Sequence, residues 1–239
     1  MSSILVIIPA RGGSKGISNK NISSLGGKPL LAWTILAAKQ VNSIARIVVT
    51  TDSPDIAEVA KEYQAEVPFL RPRELALDDT PGMAPLIHAI RWLEEHQNYR
   101  PEYVMCLQPT SPLRSARDIE TAIEIALEKD ADGVVSVAPV KQHPEWMKQV
   151  DAEGRLQDYL ASEQLAIRRQ DLSAIYALNG AIYMARRHIV LEKMTWYTHE
   201  TYAYVMPTER SIDIDTPWDL HLADMILRDR ENDATDRHP

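Results

Sequence analysis

Ile4-Leu5-Val6-Ile7-Ile8-Pro9-Ala10-Arg11-Gly12-Gly13-Ser14-Lys15-Gly16, followed by Lys20-Asn21, is the stretch that decides the fold. An uninterrupted apolar run of this length reads as a strand buried on both faces, the kind found in parallel sheets. It leaves no room for a signal peptide. The run opens directly onto a glycine-rich loop, where glycines let backbone N–H groups approach phosphate oxygens and Arg11, Lys15 and Lys20 supply countercharge. An ordinary turn with surface cations is the plainer alternative, and three cations within a stretch of ten residues directly after the strand disfavour it. The loop is neither Gly-x-x-x-x-Gly-Lys-Ser/Thr nor Gly-x-Gly-x-x-Gly, so the common nucleotide motifs do not describe it.

Strand and helix patterns then alternate. A helix is expected over Pro29–Val41, a strand over Arg46–Thr51, and a helix capped by Ser53 and begun at Pro54. A short strand at Glu66–Leu70, a helix at Pro85–His96, a strand at Tyr103–Leu107, a helix at Ala116–Lys129 and a strand at Gly133–Val137 follow. The alternation predicts an α/β fold, a three-layer, mainly parallel sheet with helices on both faces. Sites in such a fold lie beyond the carboxyl ends of the strands. The loops Ala10–Asn21, Asp52–Ser53 and Gln108–Arg114 fall there. From about Val140 to Leu178 the rhythm breaks, with a hairpin expected to turn at Asp151-Ala152-Glu153-Gly154. So long an excursion, with few aliphatic residues, reads as an arm that packs on a second subunit or covers the site. Residues 1–228 are expected to form one domain, with a polar, fraying tail at 229–239.

The chain has 239 residues and a formal net charge of −8, which argues against a general nucleic-acid binder. No run is long enough to span a membrane. One cysteine, Cys106, excludes an intramolecular disulfide and a cysteine-rich zinc site and suits a cytoplasmic location; it reads as a small core residue.

Ser211-Ile212-Asp213-Ile214-Asp215-Thr216-Pro217 is the second informative stretch. If extended, Asp213 and Asp215 share one face and Ile212 and Ile214 bury the other. Carboxylates so placed repel unless a cation sits between them, and Mg2+ prefers oxygen ligands. The alternative is that one or both aspartates merely cap the helix that Thr216 and Pro217 begin. In Gln108-Pro109-Thr110-Ser111-Pro112-Leu113-Arg114 two prolines stiffen a loop suited to positioning. Ser111 has no evident His–Asp partners, so a serine nucleophile is not expected. Asn179-Gly180 reads either as a turn or as an amide reaching into a pocket.

Together these motifs resemble the acylneuraminate cytidylyltransferase family, the CMP-sialic acid synthetases and their relatives. The resemblance runs from Ile7 to about Ala223 and includes Thr51-Asp52-Ser53, Arg71-Pro72, Glu74-Leu75-Ala76 and Asn179-Gly180-Ala181-Ile182-Tyr183 besides the stretches above. It implies a nucleotide-diphospho-sugar transferase-like fold, with the excursion as a dimerisation arm of a homodimer. It also implies a reaction in which CTP and a nine-carbon 2-keto-3-deoxy sugar acid give the CMP-sugar and pyrophosphate. By position, the stretch Ala10, Arg11, Gly12, Gly13, Ser14 and Lys15 would hold the nucleotide with Asn21 and Arg71. Arg11 and Lys20 would face the triphosphate, and Asp213 and Asp215 would bind Mg2+. Gln108 and Asn179 would meet the sugar, with Trp146 and Arg169 contributed by the arm.

Three departures stand out. Trp146 and Ala177 stand where some sialic acid enzymes have lysine and arginine, and Met83 stands where a serine often meets the base. The loss of two cations points to an acceptor of the legionaminic or pseudaminic type rather than N-acetylneuraminate. The eight-carbon CMP-KDO synthetase type is an alternative, disfavoured by Lys15 and by the Gln108–Arg114 loop. A catalytically inactive regulatory module is another, and it predicts loss of the acid pair or the loop cations, all of which are present.

Overall fold

A computed structural model of the chain describes residues 3–13, 16–160, 168 and 172–236, with side chains to residue 230. The first strand, β1 (Ile4–Pro9), sits where the opening stretch predicts. After a short hairpin, β2 (Ser24–Leu25) and β3 (Lys28–Pro29), come α1 (Leu30–Lys39), β4 (Ile44–Thr50), α2 (Pro54–Glu62) and α3 (Ala84–Gln97). Next are β5 (Tyr103–Cys106), α4 (Ala116–Glu128), β6 (Gly133–Pro139), and the hairpin strands β7 (Lys148–Val150) and β8 (Leu156–Asp158). β9 (Tyr176–Arg186), β10 (Thr201–Val205) and α5 (Pro217–Asp236) complete the chain, α5 continuing into the polar stretch from Asp229.

Six strands form the central sheet in the order β10-β6-β9-β5-β1-β4. β1 pairs in parallel with β4 and β5, and β10 with β6, while β9 runs antiparallel to both its neighbours. The mainly parallel sheet is therefore as expected, with one reversal. Side chains of β1 alternate between two cores, as a strand buried on both faces requires. Ile4, Val6 and Ile8 pack with Leu31 and Ile35 of α1 and Ile119 and Ile123 of α4. Leu5 and Ile7 pack with Leu86, Ile90 and Leu93 of α3. A third cluster joins Leu25, Leu30 and Leu113 to Ile214 and to Ala223 and Leu227 of α5.

Local signals hold at most boundaries. Ser53 accepts from the Ile56 N–H at the head of α2 with Pro54 in the first turn, and Ser115 and Asp118 form a reciprocal capping box on α4. The expected strand at Glu66–Leu70 is a single parallel bridge between Val48 and Glu66. Pro68 has no N–H to continue the ladder, and Leu70 is solvent-exposed. The hairpin does turn at Asp151–Gly154, where Gly154 has φ +82°.

The base of the excursion is a paired segment. Val137, Ala138 and Pro139 of β6 stand opposite Leu178, Ala177 and Tyr176 of β9. The register is irregular between Val135 and Val137, and Gly180 on the facing strand has φ +73°. Such a bulge re-aims side chains at a sheet end.

Candidate functional site

The carboxyl ends of β1, β4 and β5 and the amino end of the reversed β9 meet at one end of the sheet. Ala10 extends the β1–β4 ladder through its N–H to Thr50 O at 3.0 Å, and its side chain is fully buried. Its side chain belongs to the core. Gly12 donates its N–H to Asp52 Oδ1 at 2.9 Å, and Gly13 lines a small cavity of about 180 Å³ with Arg11, Lys20, Asn21, Gln108 and Thr110. Asn21 is buried and donates through Nδ2 to Arg11 O at 2.9 Å, which braces the loop from inside. Ser14 and Lys15 lie outside the described residues.

Arg11 reaches a larger cleft of about 550 Å³, where Nη1 donates to Asp78 Oδ1 at 2.7 Å. Arg71 lines the same cleft. Its guanidinium donates to Thr50 Oγ1 at 3.2 Å and to the Thr50 carbonyl, and burial, against the pull of Asp52, lowers its pKa to about 10. It remains a cation at neutral pH.

Lys20 donates to Ile214 O at 2.8 Å and stands 3.4 Å from Asp215 Oδ1, so the loop cation and the acidic pair converge although 194 residues separate Lys20 from Ile214. The Ile212–Asp215 segment is fixed from several sides. Ile214 is fully buried and its N–H donates to Thr110 O at 2.8 Å. Thr216 and Asp219 cap α5 reciprocally, at 2.8 and 3.3 Å. Desolvation raises the Asp213 pKa, and the charges of Asp215 and Asp219 act in the same sense; the Thr110 hydroxyl and Lys20 oppose them. A Cβ built on Gly180 would lie 3.3 Å from both Asp213 Oδ2 and Gln108 Oε1. The bare glycine thus lets the amide and the carboxylate approach the same point. Gln108 borders both cavities, and its loop is pinned by Arg114, buried and donating to Ala181 O at 2.8 Å and Thr34 Oγ1 at 2.7 Å.

Asn179 and Trp146, both expected near the sugar, have other neighbours within the chain. Asn179 is buried, accepting from Ser136 Oγ at 2.6 Å and donating to Ser211 Oγ at 3.0 Å and Met206 Sδ at 3.3 Å. Its amide is spent on fastening the bulged β6–β9 pair to the acidic segment. Trp146 borders a separate cavity of about 180 Å³ with His143 and Tyr176 and does not line its own chain's cleft. Arg169 lies outside the described residues.

Sequence reasoning missed part of the cleft wall: Leu77, Asp78, Thr80, Tyr183, Trp196 and Tyr197. Tyr183 and Trp196 are 5.8 Å apart between ring centroids. Tyr183 sits in the quoted Asn-Gly-Ala-Ile-Tyr run. Trp196 and Tyr197 follow a short π-helical turn, Ile189–Lys193, with no periodicity to mark them.

The arrangement suits transfer chemistry on a nucleotide, with cations at a glycine loop, a carboxylate pair beside them, and an amide and aromatic wall opposite. Similarity to known proteins agrees. A CMP-N,N'-diacetyllegionaminic acid synthase of Legionella pneumophila is 38% identical over 225 residues, covering 94% of this chain and 96% of that protein. An N-acylneuraminate cytidylyltransferase of Streptococcus agalactiae is 36% identical over 236 residues; this alignment covers 95% of this chain and 55% of that longer protein. The fold resembles a CMP:2-keto-3-deoxy-manno-octonic acid synthetase structure complexed with CTP, with a TM-score of 0.71 at 16% identity over 96% of this chain and 100% of that one. Residues 5–232 match the cytidylyltransferase family, and the chain belongs to it.

Proposed function

We propose that the protein transfers the cytidylyl group of CTP to a nine-carbon 2-keto-3-deoxy sugar acid, releasing pyrophosphate. The observation that carries this reading is the convergence of Lys20, Asp213, Asp215 and Gln108 beside Gly180. The anomeric hydroxyl of the sugar gives up its proton to solvent, and its oxygen bonds to the α-phosphorus as the bond from that phosphorus to the bridging oxygen breaks. Pyrophosphate departs with charge that Arg11 and Lys20 face, so no protein nucleophile is needed.

Asp213 and Asp215 would hold Mg2+. Among the described residues no group of three or more His, Cys, Asp or Glu side chains forms a protein-only cage. A pair of carboxylates next to a phosphate-binding loop is the donor set Mg2+ takes, since it fills its remaining positions with waters and phosphate oxygens. When bound, it neutralises charge on the phosphates. Asn21 and Lys20 brace the loop against which the triphosphate lies, and Arg71 serves the nucleoside.

The acceptor proposed is a diamino-trideoxy acid of the legionaminic or pseudaminic type. An apolar Trp146 and the absence of cations at Trp146 and Ala177 support it, as does the 38% identity to the Legionella CMP-N,N'-diacetyllegionaminic acid synthase. Trp146 and Arg169 would act in the partner's site of a homodimer. Val150, Leu156, Tyr159 and Leu178 leave an apolar surface on and beside the hairpin that a second copy would cover. The free, buried Cys106 suits a cytoplasmic enzyme. Pyrophosphate release with CTP, Mg2+ and each purified acid tests the reading. Turnover is expected with a legionaminic or pseudaminic acid; a clear preference for N-acetylneuraminate would overturn the acceptor assignment, and no turnover with any acid the activity itself.

A further inference from the structure

The structure assigns to Asp118 a positioning role: through Arg210 and Ser115 it ties together the two loops that carry Gln108 and the Asp213–Asp215 pair. This rests on the cytidylyltransfer reading. Asp118 lies in the first turn of α4, away from the cleft, and its side chain has no solvent exposure. One oxygen accepts from Arg210 Nη2 at 2.8 Å and from the Tyr204 hydroxyl at 2.6 Å. The other accepts from Arg210 Nε at 2.9 Å, from Ser115 N at 2.8 Å and from Ser115 Oγ at 2.7 Å. Capping the helix needs only the Ser115 bonds. The forked pair with Arg210 and the bond from Tyr204 exceed what a cap requires.

Placement in the chain gives these extra bonds their meaning. Ser115 directly follows Arg114, the last residue of the Gln108–Arg114 loop, and Arg210 directly precedes Ser211, the first of the acidic segment. A single carboxylate therefore fastens the end of one site loop to the start of the other. The two loops touch again at the site, through the Ile214 N–H on Thr110 O and the Thr110 hydroxyl on Asp213. Between these two contacts Ser211 is held by Asn179 and by its own bond to Pro207 O at 2.8 Å. A bidentate guanidinium–carboxylate pair fixes angle as well as distance. Releasing it loosens the acidic segment at its amino end, leaving Ser211 to hold that end, while the carboxyl end stays capped on α5. The distance between Gln108 and the acid pair then loses one of its determinants.

Groups hydrogen-bonded directly to metal ligands change affinity or activity by about 10- to 100-fold when removed, and Asp118, one step further out, is expected at the lower end of that range. The test uses Asp118→Asn, Arg210→Gln and their double variant, with Mn2+ titrated into the CTP complex at 25 °C and followed by electron paramagnetic resonance, alongside steady-state kinetics. Each single variant is expected to bind Mn2+ about tenfold more weakly and to lose kcat by a similar factor, with KM for CTP within about twofold. The double variant is expected to be no worse than the weaker single one. A folded variant with a lowered melting temperature but unchanged Mn2+ affinity and kcat overturns the inference and leaves Asp118 a helix cap. If Asp118→Asn does not fold, Tyr204→Phe decides: a smaller shift of Mn2+ affinity in the same direction supports the role, and no shift refutes it. Mn2+ affinity is read without turnover, so wild type that binds Mn2+ with CTP yet consumes no sugar acid overturns the functional reading while the variants still decide this one.

Discussion

Gly16 and Asp215 are pressed together: a Cβ on Gly16 would overlap the Asp215 carbonyl oxygen. The amino-terminal loop is thus seated on the backbone of the acidic segment, and only glycine permits that approach. Gly16→Ala should drive loop and segment apart. Since a displacement of about 1 Å can cost about a hundredfold in rate, kcat should fall by that order with the circular dichroism spectrum unchanged. Activity within twofold of wild type would show that the seating is not required.

Removal of either carboxylate should stop the reaction. Asp213→Ala and Asp215→Ala are expected to retain below about 1% of wild-type turnover, because a cation on the phosphates would lose its protein anchor. Dialysis against EDTA should have the same effect on wild type, and added Mg2+ should restore it. Pyrophosphate release measures all three, and a fully active Asp215→Ala would remove that residue from the metal assignment.

Arg71 should act on CTP binding more than on chemistry. Arg71→Met keeps most of the volume while deleting the donors that face Thr50 and the cleft. Loss of a charged hydrogen bond is worth about 1.5–3 kcal/mol, so KM for CTP should rise by about tenfold or more with kcat changed far less. An equal loss in both would place Arg71 at the transition state instead.

These predictions draw unequally on what the sequence made legible. Buried strands such as Ile4–Pro9 and Tyr103–Cys106 announce themselves, because a strand covered on both faces must be apolar throughout. Arg11, Lys20, Asp213 and Asp215 stand out in the sequence, since their residue types state their chemistry. Asn179 is ambiguous for a physical reason: an amide serves equally well to hold a substrate or to hold two serines, and the sequence does not show its contacts with Ser136 and Ser211. Trp196 and Tyr197 were illegible because a wall aromatic has the same composition as a core aromatic. Asp118 gave no signal in the sequence, because its partner, Arg210, is 92 residues away.

Asp118 also predicts how stability depends on acidity. Burial alone would raise its pKa, but the bonds from Arg210, Ser115 and Tyr204 outweigh it and hold the carboxyl at about 2, below the ordinary 3.8. The unfolded chain therefore takes up this proton first as pH falls. The contribution, about 2 kcal/mol, is fully present above pH about 4 and is lost between there and pH about 2. Urea unfolding at pH 5 and pH 2.5 should show wild type losing this increment and Asp118→Asn, lacking the group, showing a correspondingly smaller loss.

Cys106 gives a simple probe of closure. Burial pushes its thiol up to about 12, so very little thiolate exists at pH 8 although the residue borders the cleft. Iodoacetamide should modify the native protein only slowly and the urea-unfolded protein quickly. Rapid labelling of native protein would mean that the cleft floor opens.

The reversal of β9 has a consequence for how this enzyme can diversify. Because β6 leaves and β9 re-enters at the same end of the sheet, paired from Val137–Leu178 to Pro139–Tyr176, the hairpin between them is an insert with a zipped base. Its length and composition can change without shifting the register of any core strand. The loops that line the cleft hang on β1, β4 and β5, where a slip would flip every side chain. The excursion is free of that constraint, so it can be edited while the cleft keeps its shape.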